Sequence, residues 1–173
     1  MMLSRTYYQY YTNVTYSTPK ECLALHGKIT SDPREFPDAD DCPHRILAFP
    51  RRELSYYREQ ERRMRELAAA ELRRRDLFHR ARETLDSDPD TAVELFSQAA
   101  AIETYIPELE RLVAEKGDIL ARDQDLRTRL GKIFYQAYSD KFGRPRYERF
   151  PERMRLAREK YGLNRIKELF SLP

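Results

Sequence analysis

Tryptophan is absent from this 173-residue chain, glycine occurs five times and cysteine twice. No Gly-rich phosphate loop, Ser nucleophile elbow or His-Glu-x-x-His pattern is present, which removes the common nucleotide, hydrolase and metalloprotease signatures. No apolar run approaches the length of a membrane span, and Met-Met-Leu-Ser-Arg-Thr-Tyr-Tyr at the start has no apolar core of a signal segment. A cytoplasmic protein is therefore expected. In that setting Asn13-Val14-Thr15 is a chance match to a glycosylation acceptor, and the two cysteines read as thiols or metal ligands, not as a disulfide.

What the chain has instead is charge. Charged residues make up 35% of it, with a net charge of +3 and a mean hydropathy of −0.83. That profile suits long solvated helices. Residues 51–85 carry 11 basic and 7 acidic side chains, residues 86–125 carry 3 and 11, and residues 126–173 carry 13 and 5. An acidic middle between basic flanks suits antiparallel helices with complementary faces. The aromatic packing rests on 12 tyrosines and 8 phenylalanines.

In chain order, Thr6–Tyr16 is dense in β-formers, and Thr12-Asn13 is read as the turn of a short hairpin. Thr18-Pro19 with Glu21 reads as a helix entry, and Gly27 as its stop. Ile29–Pro50 carries Asp32-Pro33, Phe36-Pro37, Cys42-Pro43 and Phe49-Pro50 and reads as loop, anchored by Ile29, Phe36, Ile46, Leu47 and Phe49. Arg51 to Leu85 reads as one long helix, with interruptions of its apolar stripe near Glu61 and Arg75. Asp88-Pro89 and Pro107 open two more helices, and Leu126–Tyr138 forms another that stops near Gly143. Pro151–Tyr161 and Leu163–Leu172 complete a mainly α protein. The expected organisation is a small irregular Cys/His head, residues 1–50, followed by an antiparallel helical bundle with one long helix, residues 51–173.

The head concentrates the chemistry. Cys22 and His26 lie one helical turn apart and can share a face, and Pro43 bends the chain between Cys42 and His44. Two thiolates and two imidazoles suit tetrahedral zinc, and four protein ligands make such a site structural. The same residues also suit two buried thiols and two ordinary histidines. With Asp40 and Asp41, the histidines offer a third reading, a metal-dependent hydrolase. His79, inside the long helix, reads as structural.

Cys22-Leu-Ala-Leu-His-Gly-Lys28, preceded by Tyr11-Thr-Asn, and Asp41-Cys-Pro-His-Arg45 resemble a segment of phage head-morphogenesis proteins, the Mu F-like minor capsid group. There a Cys-rich stretch leads through Asp-Gly-Lys to His-Pro-x-Cys-Arg-Cys. His26, His44 and Ile46 depart from that pattern, which covers roughly 40 residues here. The resemblance implies a role in phage or prophage head assembly, acting through protein contacts near packaged DNA, and the chain as a whole is expected to be a non-enzymatic structural or interaction protein.

A second surface is basic: Arg144, Arg146, Tyr147, Arg149, Arg153, Arg155, Arg158 and Lys160. Arginines interleaved with aromatics can grip phosphates and stack on bases, so a nucleic-acid-binding protein is the alternative function. Glu148, Glu152 and Glu159 compete for those arginines. No small-molecule substrate is evident, and a protein partner or self-association is expected.

Overall fold

A computed structural model describes residues 5–37, 43–141 and 151–173. The chain divides into two compact units, Met1–Leu72 and Arg73–Pro173. The division falls inside the long helix, about twenty residues beyond the boundary expected near Pro50.

The first unit is built on a three-stranded antiparallel sheet. Its strands are β1 (Thr6–Thr12), β2 (Ile29–Thr30) and β3 (His44–Pro50), in the order β2-β1-β3. The run Thr-Tyr-Tyr-Gln-Tyr-Tyr-Thr takes the central position, where both faces are covered, and neighbouring Gln9 and Tyr10 are accordingly both buried. No hairpin forms at Thr12-Asn13. Thr18 Oγ1 instead donates to the Asn13 carbonyl at 2.6 Å and accepts from the Thr15 amide, turning the chain into a short helix, α1 (Lys20–Leu25). Thr18 is thus spent on the turn, and the helix has no side-chain cap.

Residues 29–50 are not loop throughout. Pro33–Glu35 is a 3-10 turn capped by Asp32, and His44–Pro50 pairs with all of β1, from Thr12↔His44 to Thr6↔Pro50. Pro43 precedes the strand and Pro50 ends it, positions that an edge strand tolerates. Of the expected anchors, Phe36 and Phe49 are buried, whereas Ile46 and Leu47 are exposed.

One sheet face packs Tyr10 with Cys22 and Phe36, flanked by Tyr8 and Leu25. The other meets the first half of α2 (Leu54–Thr84). Phe49 stacks on Tyr57 at 3.9 Å between centroids, and Gln9 Nε2 donates to the carbonyls of Tyr57 and Gly27. Gly27 stops α1 at φ +89°, and a Cβ there would lie 3.0 Å from both the Glu61 carbonyl oxygen and the Met64 Cβ. Glycine is required at this position for its backbone and for its size.

In the second unit α2 continues, followed by α3 (Pro89–Ile102), α4 (Ile106–Glu115), α5 (Gly117–Arg122) and α6 (Gln124–Asp140). Then come α7 (Pro151–Arg158), a π-helical turn at Glu159–Leu163 and α8 (Asn164–Phe170). The predicted entry at Asp88-Pro89 is present: the Asp88 carboxylate accepts from the Thr91 amide and hydroxyl, and these bonds hold its pKa below the usual range. The core joins Phe96, Leu109, Leu112, Leu130, Phe134, Ile166 and Phe170, with Phe78, Phe96, Phe134 and Phe170 forming a run of ring contacts. The break expected between Tyr161 and Leu163 is not a helix end: Gly162 lies in the π turn, where a Cβ would collide with the Tyr138 ring, and the chain continues into α8. The expected stop near Gly143 lies outside the described residues.

The interruption of the long helix's stripe near Arg75 has a specific cause. Arg74 occupies a core position, 1% exposed, and forms a two-bond pair with Glu108 (Nη1–Oε2 2.6 Å, Nη2–Oε1 3.2 Å). Its guanidinium also lies 4.8 Å from the Tyr105 ring centroid. The apolar face continues through a charged residue whose partner is carried by another helix.

Candidate functional site

The backbone amide of Thr12 donates to His26 Nδ1 at 3.2 Å, where α1 ends against the central strand. Nδ1 is thereby the unprotonated nitrogen, so the imidazole is neutral with its proton on Nε2. His26 is 3% exposed, and burial lowers its pKa from the ordinary value of 6.5. His44 opens β3 and stacks on Tyr10 at 4.6 Å, while His26 lies against Tyr11 at 5.4 Å. Tyr10 and Tyr11 are consecutive on a strand whose side chains alternate faces, so each histidine meets a tyrosine from a different face of β1. Cys22 is buried beneath Tyr10 and Phe36.

Cys22 is disulfide-bonded, and no described cysteine is free. This departs from the thiol or metal-ligand state expected from sequence. The sequence's other cysteine, Cys42, lies outside the described residues, as do Asp40 and Asp41. A disulfide sulfur has no thiolate to offer a metal, and the Nδ1 of His26 is already an acceptor. The donors that the description covers therefore do not fit the four-ligand zinc staple. Among the described residues, no three His, Cys, Asp or Glu side chains come together as a ligand group.

Beside these histidines an open cavity of about 330 Å³ is lined by Tyr11, Thr12, Asn13, Pro43, His44 and Arg45. Thr12 Oγ1 donates to the Pro43 carbonyl at 2.8 Å across its floor, tying the start of β3 to β1. Among the described residues, the walls offer the Arg45 guanidinium and no carboxylate.

The neutral His26 has a consequence for stability. Because its folded pKa lies below the unfolded value, the unfolded chain binds the extra proton first as pH falls below about 6.5. The stabilisation is complete above that pH and is lost as pH falls through the folded value. Denaturation midpoints should therefore rise with pH across that window. His26→Asn, whose Oδ1 can still accept the Thr12 amide, should flatten the slope; an unchanged slope would assign the dependence to another group.

Of the eight residues in the candidate basic surface, Arg144, Arg146, Tyr147 and Arg149 lie outside the described residues. Arg153, Arg155 and Lys160 are exposed on α7 and the π turn. Arg155 approaches Glu159 at 4.0 Å, and the Lys160 ammonium lies over the Tyr161 ring. Arg158 is half-buried and lines a second cavity, of about 310 Å³, with Thr104, Tyr105, Tyr138 and Lys141. Lys141 is engaged there by the Glu103 carboxylate and the Thr104 carbonyl. Local sequence patterns do not reveal this cavity, because its residues come from three separate stretches. His79 is exposed on α2, within reach of Arg82, and is not buried in the core.

No family model matches the chain, and no curated protein or solved structure matches it. Among the described residues, no helix is long and apolar enough to cross a membrane.

Proposed function

We propose that this chain is a non-enzymatic structural or interaction protein. One observation carries the reading: among the described residues, Cys22, His26 and His44, the side chains of the head singled out for chemistry, are engaged in holding it together. Cys22 is in a disulfide, His26 accepts a backbone amide from within the core, and His44 stacks on the buried Tyr10. Among the side chains that the head turns outward are three large apolar ones, Tyr11, Ile46 and Leu47. The more particular role, assembly of a phage or prophage head, draws its support from the likeness of Cys22–Lys28 and Asp41–Arg45 alone. A zinc-stapled head belongs to this proposal only for a chain in which Cys22 has been reduced.

Nucleic-acid binding is the second reading, favoured by exposed Arg153 and Arg155 on one short helix. A single set of measurements separates these readings. The protein is incubated with DNA and RNA, with and without divalent cations, and then passed over immobilised nucleic acid across a salt gradient. Intact nucleic acid and no retention at physiological salt are expected. Retention that falls steeply with salt, and is lost on Arg153→Glu/Arg155→Glu, would establish the second reading. Metal-dependent turnover would overturn the non-enzymatic one.

A further inference from the structure

The two edges of the sheet differ. On one side β2 is two residues long and is followed by Asp32-Pro33, a blunted edge. On the other side β3 is seven residues long, and Arg45, Ile46, Leu47 and Ala48 are all exposed. Ile46 and Leu47 are 40% and 39% exposed, and Tyr11 on the adjoining strand is 40% exposed.

The direction of the backbone groups on β3 follows from β1. Tyr10 gives its N–H to the Lys28 carbonyl at 3.0 Å and receives the Gly27 N–H at 2.8 Å, so both its polar groups point toward β2. In an antiparallel pair successive residues alternate in direction, and facing residues are either both bonded to each other or both turned away. Tyr10 faces Ile46, and Tyr8 faces Ala48. The N–H and C=O of Ile46 and Ala48 therefore point out of the sheet, on a side where the described residues supply no strand. Pro50 has the same orientation and no N–H, which closes the end of this edge.

We propose that this edge pairs with the same edge of a second copy of the chain, antiparallel about a twofold axis at Leu47. The proposal deepens the interaction reading above and rests on it. In this register Ile46 of each copy exchanges hydrogen bonds with Ala48 of the other, about four in all. The two Leu47 side chains meet as a close, non-hydrogen-bonded pair across the axis. Charge selects this arrangement. Arg45 is the one Lys, Arg, Asp or Glu within His44–Pro50, and here it faces the Phe49 position, so the two arginines stand about 13 Å apart, beyond the screening length at physiological salt. Parallel, in-register pairing would set them about 5 Å apart. The blunted β2 edge gives the assembly nowhere to continue, so it closes at two.

The test is molar mass by light scattering over a wide concentration range. The mass should rise from 20.7 kDa toward twice that value. Leu47→Lys sets two ammonium groups face to face, and Ala48→Pro removes an outward N–H without touching a β1 bond. Each should hold the protein at 20.7 kDa, while Leu67→Lys on the exposed face of α2 should not. A monomer at every concentration, or a dimer indifferent to both β3 variants, would overturn the proposal. Amide exchange on the wild-type protein gives an answer even if a variant misfolds: the Ile46 and Ala48 amides should become protected as concentration rises. Fast exchange independent of concentration would also overturn it. A monomer leaves open action through some other partner, whereas turnover of nucleic acid would defeat the non-enzymatic reading even with the dimer intact.

Discussion

Arg74→Ala is expected to lower the stability of the helical unit by about 3–5 kcal/mol, the largest effect of any single charge removal among the described residues. The reason lies in what is left behind. Arg74 is almost wholly buried, and its two hydrogen bonds satisfy the Glu108 carboxylate, whose side chain is 15% exposed. Truncating the arginine strands that carboxylate in a poorly hydrated place and strips a cation from the Tyr105 ring. The attraction between the charges is offset by the cost of desolvating both, so the pair itself contributes far less than its rupture costs. The double replacement Arg74→Met/Glu108→Leu should accordingly recover most of the loss. Urea unfolding of the single and double variants checks this directly. A single variant within about 1 kcal/mol of the wild type would mean that solvent reaches Glu108 freely.

The pair also explains the limits of the sequence reading. Helix starts were legible because their signals are local: Asp88 before Pro89, and Pro107 in the first turn of α4. The long helix is legible too, but helical periodicity selects the apolar Leu67, which is 44% exposed, and passes over Arg74, which is 1% exposed. Hydrophobic periodicity has no means of finding a buried arginine, because the partner that makes its burial tolerable lies 34 positions away. The strand His44–Pro50 was missed for a related reason. Its prolines mark a loop locally, and only pairing with β1 shows that they flank an edge strand. Residue identities in the head pointed to Cys22, His26 and His44 as a group. What spacing could not convey was that the Thr12 amide would take up His26 and the Tyr10 ring would take up His44.

Breaking the disulfide at Cys22 is the second large expected effect. Removing a native disulfide from a small unit typically costs about 2–5 kcal/mol, and the apolar cluster here is small: Tyr10, Cys22 and Phe36, with Tyr8 and Leu25 at its border. Cys22→Ser should therefore loosen the head, exposing Tyr10 and raising amide exchange through β1 and α1. The fluorescence or exchange of the helical unit, which has its own core, should change much less. If the two units lost structure together and to the same extent, the independence of their cores would be refuted.

Metal content measured together with thermal stability tests most directly whether the head is held by its own packing and a covalent bond. The protein is purified without chelator or metal-affinity steps, and is then melted oxidised, reduced, and reduced with added zinc. The expected result is no stoichiometric zinc in the oxidised protein, a Tm lowered by reduction, and no recovery on adding zinc. Near one zinc per chain, with a Tm that falls on chelation and ignores reductant, would contradict this and make the Cys/His group of the head a metal staple.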